Sequence, residues 1–456
     1  MTTSRREPSN QRQALARASA FWTAAVLCRF RTCCEPQKRQ RTGAVQNLAE
    51  RGQGRGEAEL VAVLLLLSSA TGALTAAPLT NLTITVALEL AERQSPALAE
   101  SRALLTAAEG RLQQATRSAN PEAIVRVESA PRDPAVLIGA AQTVPLGKRL
   151  TAAREVHERE REALQHELAA KTRETRRRAH GAFATALFAD EAHRLNARLV
   201  DAATESVRLA RVRLAGGDAA ADEVERAELE LARACAELAR ATALREQAFA
   251  ALSAALGPTR PAVHSLAGAL ETGLELPALE AIVAELAAHP ALAQAQAETA
   301  AARARVALAR AERVPDLTFE LLFRRDEATR RNGFDVGFSL PLPVFDKQQG
   351  RAKEARALQT AAEARTQRTQ ADLETELRAA HGELAASLAH ARQLQSEVLP
   401  RLARLAALTE TRIRAGEATI GELIPLQRDS TTLHLARLES LRDAHLAWAR
   451  LRPLLK

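Results

Sequence analysis

The chain has 456 residues, 46% of them hydrophobic and 26% charged, with ten phenylalanines, two tryptophans and no tyrosine. Aromatic side chains supply much of the apolar area of compact cores and ligand pockets, so their scarcity argues against a globular enzyme. The formal charge of +8 is concentrated at one end: residues 1–77 hold eleven of the 63 basic and five of the 55 acidic residues, and the remainder, at +2, offers no basic stripe for nucleic acid.

In chain order the first expected element is a leader, residues 1–77. Its apolar run from Leu60 to Ala70 is too short to span a bilayer but long enough for the core of a signal peptide. Small residues follow (Thr71, Gly72, Ala73, Ala76, Ala77), so an N-terminal extension and then a signal peptide at about 59–77 are expected, with cleavage between Ala73 and Ala77. Cys28, Cys33 and Cys34 lie in this leader, and Cys235 is the one cysteine after it. The body therefore holds no intrachain disulfide, and no Cys/His spacing fits zinc. No metal site and no cofactor are expected.

The body reads as a duplication. Ser95-Pro96-Ala97-Leu98-Ala99 recurs as His289-Pro290-Ala291-Leu292-Ala293, and Asn120-Pro121-Glu122 as Val314-Pro315-Asp316. Thr143-Val144-Pro145-Leu146 recurs as Ser339-Leu340-Pro341-Leu342, and Arg213-Leu214-Ala215-Gly216-Gly217 as Arg412-Ile413-Arg414-Ala415-Gly416. Two structural repeats are expected, 78–270 and 271–456. Each holds a helix (about 86–118 and 279–313), a hairpin (122–145 and 316–343), a very long helix (about 149–213 and 350–414) and a return helix (about 219–256 and 418–452). Prolines and glycines mark the stops.

The hairpin segments alternate with period two. Leu317, Phe319, Leu321 and Phe323 fall on one face of the first strand of the second hairpin, and Phe334, Val336, Phe338 and Leu340 on one face of its return strand. The first hairpin is less apolar, with Val125 and Val127, then Val136, Ile138, Ala140 and Val144. One face for lipid and one for a wet lumen is what such strands need. Phe319, Phe323, Phe334 and Phe338 are the expected lipid-facing residues. Four strands leave edges that a bilayer does not tolerate, whereas three chains give a closed set of twelve.

A helix of about 63 residues spans roughly 95 Å at 1.5 Å per residue, beyond an ordinary domain. Phe188, Ala192, Leu195, Leu199, Ala202, Ser206 and Leu209 follow 4-3 spacing and predict a coiled-coil seam. The ten histidines are scattered, and no HExxH, GxSxG or phosphate loop is present, so no catalytic residues are expected.

Ile84-Thr85-Val86-Ala87-Leu88 leading to Ser95-Pro96-Ala97-Leu98, Gln142 to Arg149 (QTVPLGKR), Ser339 to Asp346 (SLPLPVFD) running to Gly350, and Arg414-Ala415-Gly416-Glu417 continuing to Glu422-Leu423-Ile424 resemble the TolC-type outer-membrane efflux family over about 79–454. The QTVPLGKR and LPLPVFD stretches resemble its cobalt–zinc–cadmium resistance branch. The resemblance implies a mostly α fold with a small β part. It is a long α-helical coiled-coil barrel with two β-hairpins per protomer, which form a trimeric 12-strand transmembrane β-barrel in the outer membrane of a Gram-negative bacterium. It implies a passive exit duct of a tripartite efflux system, exporting small solutes, heavy-metal cations foremost, from periplasm to exterior. The implied partners are two further copies of the chain (a homotrimer), a periplasmic adaptor protein, an inner-membrane RND-type pump and outer-membrane lipid. Gly216, Gly217, Arg414 and Gly416 are then expected at the periplasmic tip where the adaptor docks. Asp218, Asp222, Glu223, Glu417 and Glu422 are candidate aperture acids, or alternatively helix-start acids favoured by the dipole. Pro145, Gly147, Pro341, Pro343 and Gly350 mark the strand-to-helix turns. A type I secretion channel and a soluble coiled-coil scaffold remain alternatives, the scaffold leaving the strands and the signal-like run unexplained.

Overall fold

A computed structural model describes residues 79–128, 135–259, 261–326 and 330–451, so the expected leader lies outside the described residues. The first half runs α1 (Ile84–Gln94), α2 (Pro96–Ala115), β1 (Glu122–Glu128), β2 (Ala135–Pro145), α3 (Arg149–Gly216) and α4 (Ala221–Leu256). The second runs α5 (Leu279–Glu285), a 3-10 turn (Leu286–Ala288), α6 (Pro290–Ala311), β3 (Asp316–Asp326) and β4 (Asn332–Ser339). It ends with α7 (Gln349–Gln393), a π-helical turn (Leu394–Val398), α8 (Leu399–Arg414) and α9 (Ile420–Leu451).

The first helix of each half is broken where one continuous helix was expected. Ser95 and His289 are extended, and Pro96 and Pro290 each open the next helix. That is the position where a missing N–H costs nothing and the residue ahead of proline avoids the helical region. The helix expected over 350–414 is likewise interrupted. Pro400 has no N–H for the carbonyl four residues back and its ring crowds that carbonyl; the π turn just ahead absorbs the mismatch. Helix α3 contains no proline and runs unbroken for 68 residues, about 100 Å.

Helix α3 packs against α2, α4, α6 and α9. Toward its C-terminal end the buried positions are Asn196, Ala203, Ser206, Val207 and Ala210, while Leu209 is 39% exposed. The predicted seam is thus displaced by about one position. At this end Val207 and Ala210 pack with Val224 and Ala227 of α4 and with Ile420 of α9, so two neighbours share the buried face. Alanine dominates these contacts, which lets backbones approach closely, with Phe183, Leu187, Leu252 and Leu256 filling one core and Leu377, Leu384, Leu388 and Leu451 another. Polar cross-ties add to this. The buried Asp190 carboxylate accepts from Arg194 and from Arg245 of α4, both at 2.6 Å, and the Arg245 guanidinium lies 4.6 Å from the Phe249 ring centre.

His289 caps α6 by accepting from the Ala291 N–H through Nδ1 at 3.2 Å, a role only the neutral ring can fill. Burial, helped by the Arg173 guanidinium, pushes its pKa from 6.5 to about 4. Burial also lowers His445, which bonds the Leu270 carbonyl through Nε2 at 2.9 Å. The folded chain resists protonation at both rings, so the stability they contribute is complete above about pH 6.5 and is lost on acidification, for His289 as pH drops toward 4. His289→Asn keeps a cap acceptor but does not titrate. It is expected to flatten the fall in melting temperature between pH 6.5 and 4; an unchanged slope would remove His289 from this account.

The four strands form one antiparallel sheet in the order β1-β2-β3-β4. The two hairpins are joined along β2 and β3, with Ile138 opposite Phe323 and Thr143 opposite Thr318. Gly139 is required at this seam: a Cβ there would lie 2.0 Å from the Leu321 carbonyl oxygen and 2.7 Å from the Leu322 Cα.

Candidate functional site

Two regions concentrate the chemistry, the sheet and the two helix-turn-helix tips. Register assigns the faces of the sheet. Val125, Val127, Ile138, Phe319, Leu321, Phe323, Phe334, Val336 and Phe338 share one face. Phe319 pairs with Phe338, ring centres 5.3 Å apart, and Phe323 with Phe334 at 5.7 Å. These rings cover one another only in part, leaving Phe334 73% and Phe338 69% exposed. An apolar face this continuous and this open calls for an apolar solvent or partner.

The other face is polar and charged. Arg324 bonds both Glu128 and Asp335, tying β1 to β4 across the whole sheet, and Arg126 lies 3.9 Å from Glu320. Beneath Arg324 sit the buried Ala135, Leu137 and Leu322. At the helix-side end Arg149 pairs with Asp316 at 2.6 Å. Pro145 closes β2, and Gly147 packs where a Cβ would meet Val314 at 3.0 Å. Pro341, Pro343 and Gly350 lie in or just after the exposed turn that follows β4. There the left-handed backbone falls on Gln348 (φ 55°), not on Gly350.

The tips repeat one design. Gly217 (φ 82°) ends α3 and Gly416 (φ 76°) follows α8, both left-handed, whereas Gly216 is an ordinary last residue of its helix. In the first tip Arg213 reaches the Asp218 carbonyl at 3.3 Å and Glu223 at 3.2 Å. In the second Arg412 reaches the Glu417 carbonyl at 3.4 Å and Glu422 at 3.3 Å. Each arginine thus staples the carbonyl of the turn to an acid ten residues on, and that duplicated spacing across a glycine was legible in the sequence, though the pairing itself was not predicted.

The acids divide by environment. Glu223 is 8% exposed and also accepts from the Ile420 N–H at 2.8 Å, the first residue of α9, which joins the two tips beside the core of Val207, Ala210, Val224 and Ile420. Glu422 is exposed and stays within its own tip, and Asp222 pairs with Arg226 on its own helix. Asp218 and Glu417 are exposed in the turns, and Arg414 pairs with Glu410 at 3.7 Å. Gly416 has open space around it, so only its backbone constrains it. Gly416→Val places a β-branched residue in the left-handed region, a strain of about 1–3 kcal/mol. It is expected to impair efflux when expressed in a channel-deficient host, and unchanged efflux would free this turn of any role.

A small amphipathic antiparallel sheet joined to a helix about 100 Å long is an architecture that suits an outer-membrane channel protomer. The chain belongs to the outer membrane efflux protein family, whose family model matches residues 281–455. It is 30% identical over 362 residues to the cobalt-zinc-cadmium resistance protein CzcC of Cupriavidus metallidurans, covering 79% of this chain and 86% of that one. Among solved structures, a membrane protein from Pseudomonas aeruginosa superposes with a TM-score of 0.71 at 18% identity, covering 82% of this chain and 92% of that one. The outer membrane protein VceC of Vibrio cholerae gives 0.69 at 18% identity, covering 81% and 95%. Both likenesses speak to the fold. No helix among the described residues is long and apolar enough to cross a membrane.

Proposed function

We propose that three copies of this chain close their sheets into a 12-strand transmembrane barrel continued by a helical tunnel, making a passive outer-membrane exit duct. The observation that carries this reading is the sheet itself. One of its faces is an open band of Phe, Val and Leu, the other is charged, and the outer edges of β1 and β4 are unpaired among the described residues. Unpaired edges are excluded from lipid, and closure with further copies removes them. In this duct the glycine turns form the periplasmic end, where an adaptor fed by an RND-type inner-membrane pump docks, and the five tip acids stand near the aperture. Likeness to a cobalt-zinc-cadmium resistance protein supports heavy-metal cations as cargo.

The reading is tested by fractionation of the full chain in a Gram-negative host, with unheated gel mobility and N-terminal sequencing. A heat-sensitive trimer in the outer membrane, starting at residues 74–78, is expected; a soluble monomer that keeps its first residues would end the proposal. Phe338→Asp buries a carboxylate against lipid at roughly 2 kcal/mol per chain. It is expected to abolish the heat-sensitive trimer, and normal assembly would reverse the assignment of the two sheet faces.

A further inference from the structure

The two strand-to-helix turns differ in length and in what covers them. Three residues, 146–148, separate β2 from α3, but nine, 340–348, separate β4 from α7. The shorter turn is partly covered by its own chain. Gly147 packs on Ala311 and Val314 at and just after the end of α6, and Arg149 pairs with Asp316; Pro145, Gly147 and Arg149 are half-buried, while Leu146 and Lys148 remain exposed. The longer turn is not covered. Every residue from Leu340 to Lys347 is exposed, with Leu342 at 74% and Phe345 at 93%. Its shape is nonetheless fixed. Pro341 and Pro343 stiffen it, Asp346 accepts from the Gln348 N–H at 2.8 Å, and Val344 donates to the Leu342 carbonyl at 2.9 Å. A rigid turn that holds four apolar side chains in the open is built to meet something.

The duplication identifies the missing surface. The short turn after β2 rests on the segment leading into β3. Its counterpart for the turn after β4 is the segment leading into β1, Thr116 to Ala123, which is exposed throughout. Within one chain the two cannot meet, because β1 and β4 are opposite edges of the sheet. We propose that the turn 340–348 is an intersubunit clasp, with Leu342, Val344 and Phe345 packing on residues 116–123 of a second copy. This rests on the trimeric reading above, and adds to it the residues that make the contact at the helix-side end of the barrel. Charge fits the pairing, since Asp346 and Lys347 of the turn would face a segment bearing Arg117 and Glu122.

The test is cross-linking of the full chain in outer membranes, in a Cys235→Ser background, with Phe345→Cys combined with Ala119→Cys. Bands at the mass of two and three chains on denaturing gels are expected for the double variant and not for either single variant. Val344→Cys with Ser118→Cys repeats the test should the first pair disturb assembly. An intact heat-sensitive trimer without cross-linked bands from either pair would overturn the clasp and leave the duct standing; absence of any trimer would overturn both. Phe345→Trp separates the rival occupant. Strong quenching of its fluorescence by brominated lipids would mean that bilayer, not a second copy, covers the turn.

Discussion

Glu223→Ala is expected to loosen the proposed periplasmic end of the duct, with a larger effect than any other substitution among the five acids. The carboxylate is buried and serves two donors at once, one on each tip: Arg213 at 3.2 Å in its own tip and the Ile420 N–H at 2.8 Å in the other. Its removal leaves the first N–H of α9 without its acceptor and the Arg213 guanidinium with only the Asp218 carbonyl, in a packed setting, at a cost of about 1–3 kcal/mol. The loss falls on the only charged side chain found, among the described residues, to bond across the two tips at this level. Purified channels carrying Glu223→Ala are expected to conduct more in planar bilayers and to melt earlier. Glu223→Gln, which keeps an acceptor for Ile420 but loses the charge facing Arg213, is expected to fall between. Glu422→Ala is the control. The same Arg-to-Glu spacing holds it, but in the open and within one tip, so a change under about 1 kcal/mol is expected. Equal effects from Glu223 and Glu422 would show that the link between tips contributes nothing.

Gly139→Ala is expected to abolish assembly of the sheet. Strands β2 and β3 meet so closely there that a methyl group would sit 2.0 Å from the Leu321 carbonyl oxygen. Overpacking against side chains costs about 1–3 kcal/mol because rotamers give way. Here the obstruction is main chain, so the only relief is separation of the two hairpins, with loss of the ladder from Ala135–Asp326 to Pro145–Asp316. The heat-sensitive oligomer should be absent and the chain degraded. Gly337 provides the comparison, since a Cβ there meets only the Glu320 side chain at 3.5 Å, and Gly337→Ala should assemble. Normal assembly of Gly139→Ala would mean that the seam between the hairpins is looser than the geometry describes.

The sequence by itself determined the mostly helical class with its small β part. Period-two alternation in Leu317 to Phe323 and Phe334 to Leu340, proline stops at Pro121 and Pro315, and glycine stops at Gly217 and Gly416 are local signals, and the elements follow them. Local signals also placed an arginine ten residues ahead of a glutamate at both tips. Tertiary structure decided the rest. A 4-3 pattern says that a helix has a buried face but not how many neighbours share it, and a second neighbour moved the α3 face away from Leu209. Side-by-side joining of two hairpins 194 residues apart depends on β2 and β3 meeting, which no nearby residue encodes; Gly139 looked like any glycine in a strand until Leu321 lay against it. The five tip acids looked alike in sequence, and burial alone separated Glu223 from Asp218, Asp222, Glu417 and Glu422. Whether a carboxylate is solvated or holds two hairpins together is set by what folds over it, and for Glu223 that is the start of a helix 197 residues further along the chain.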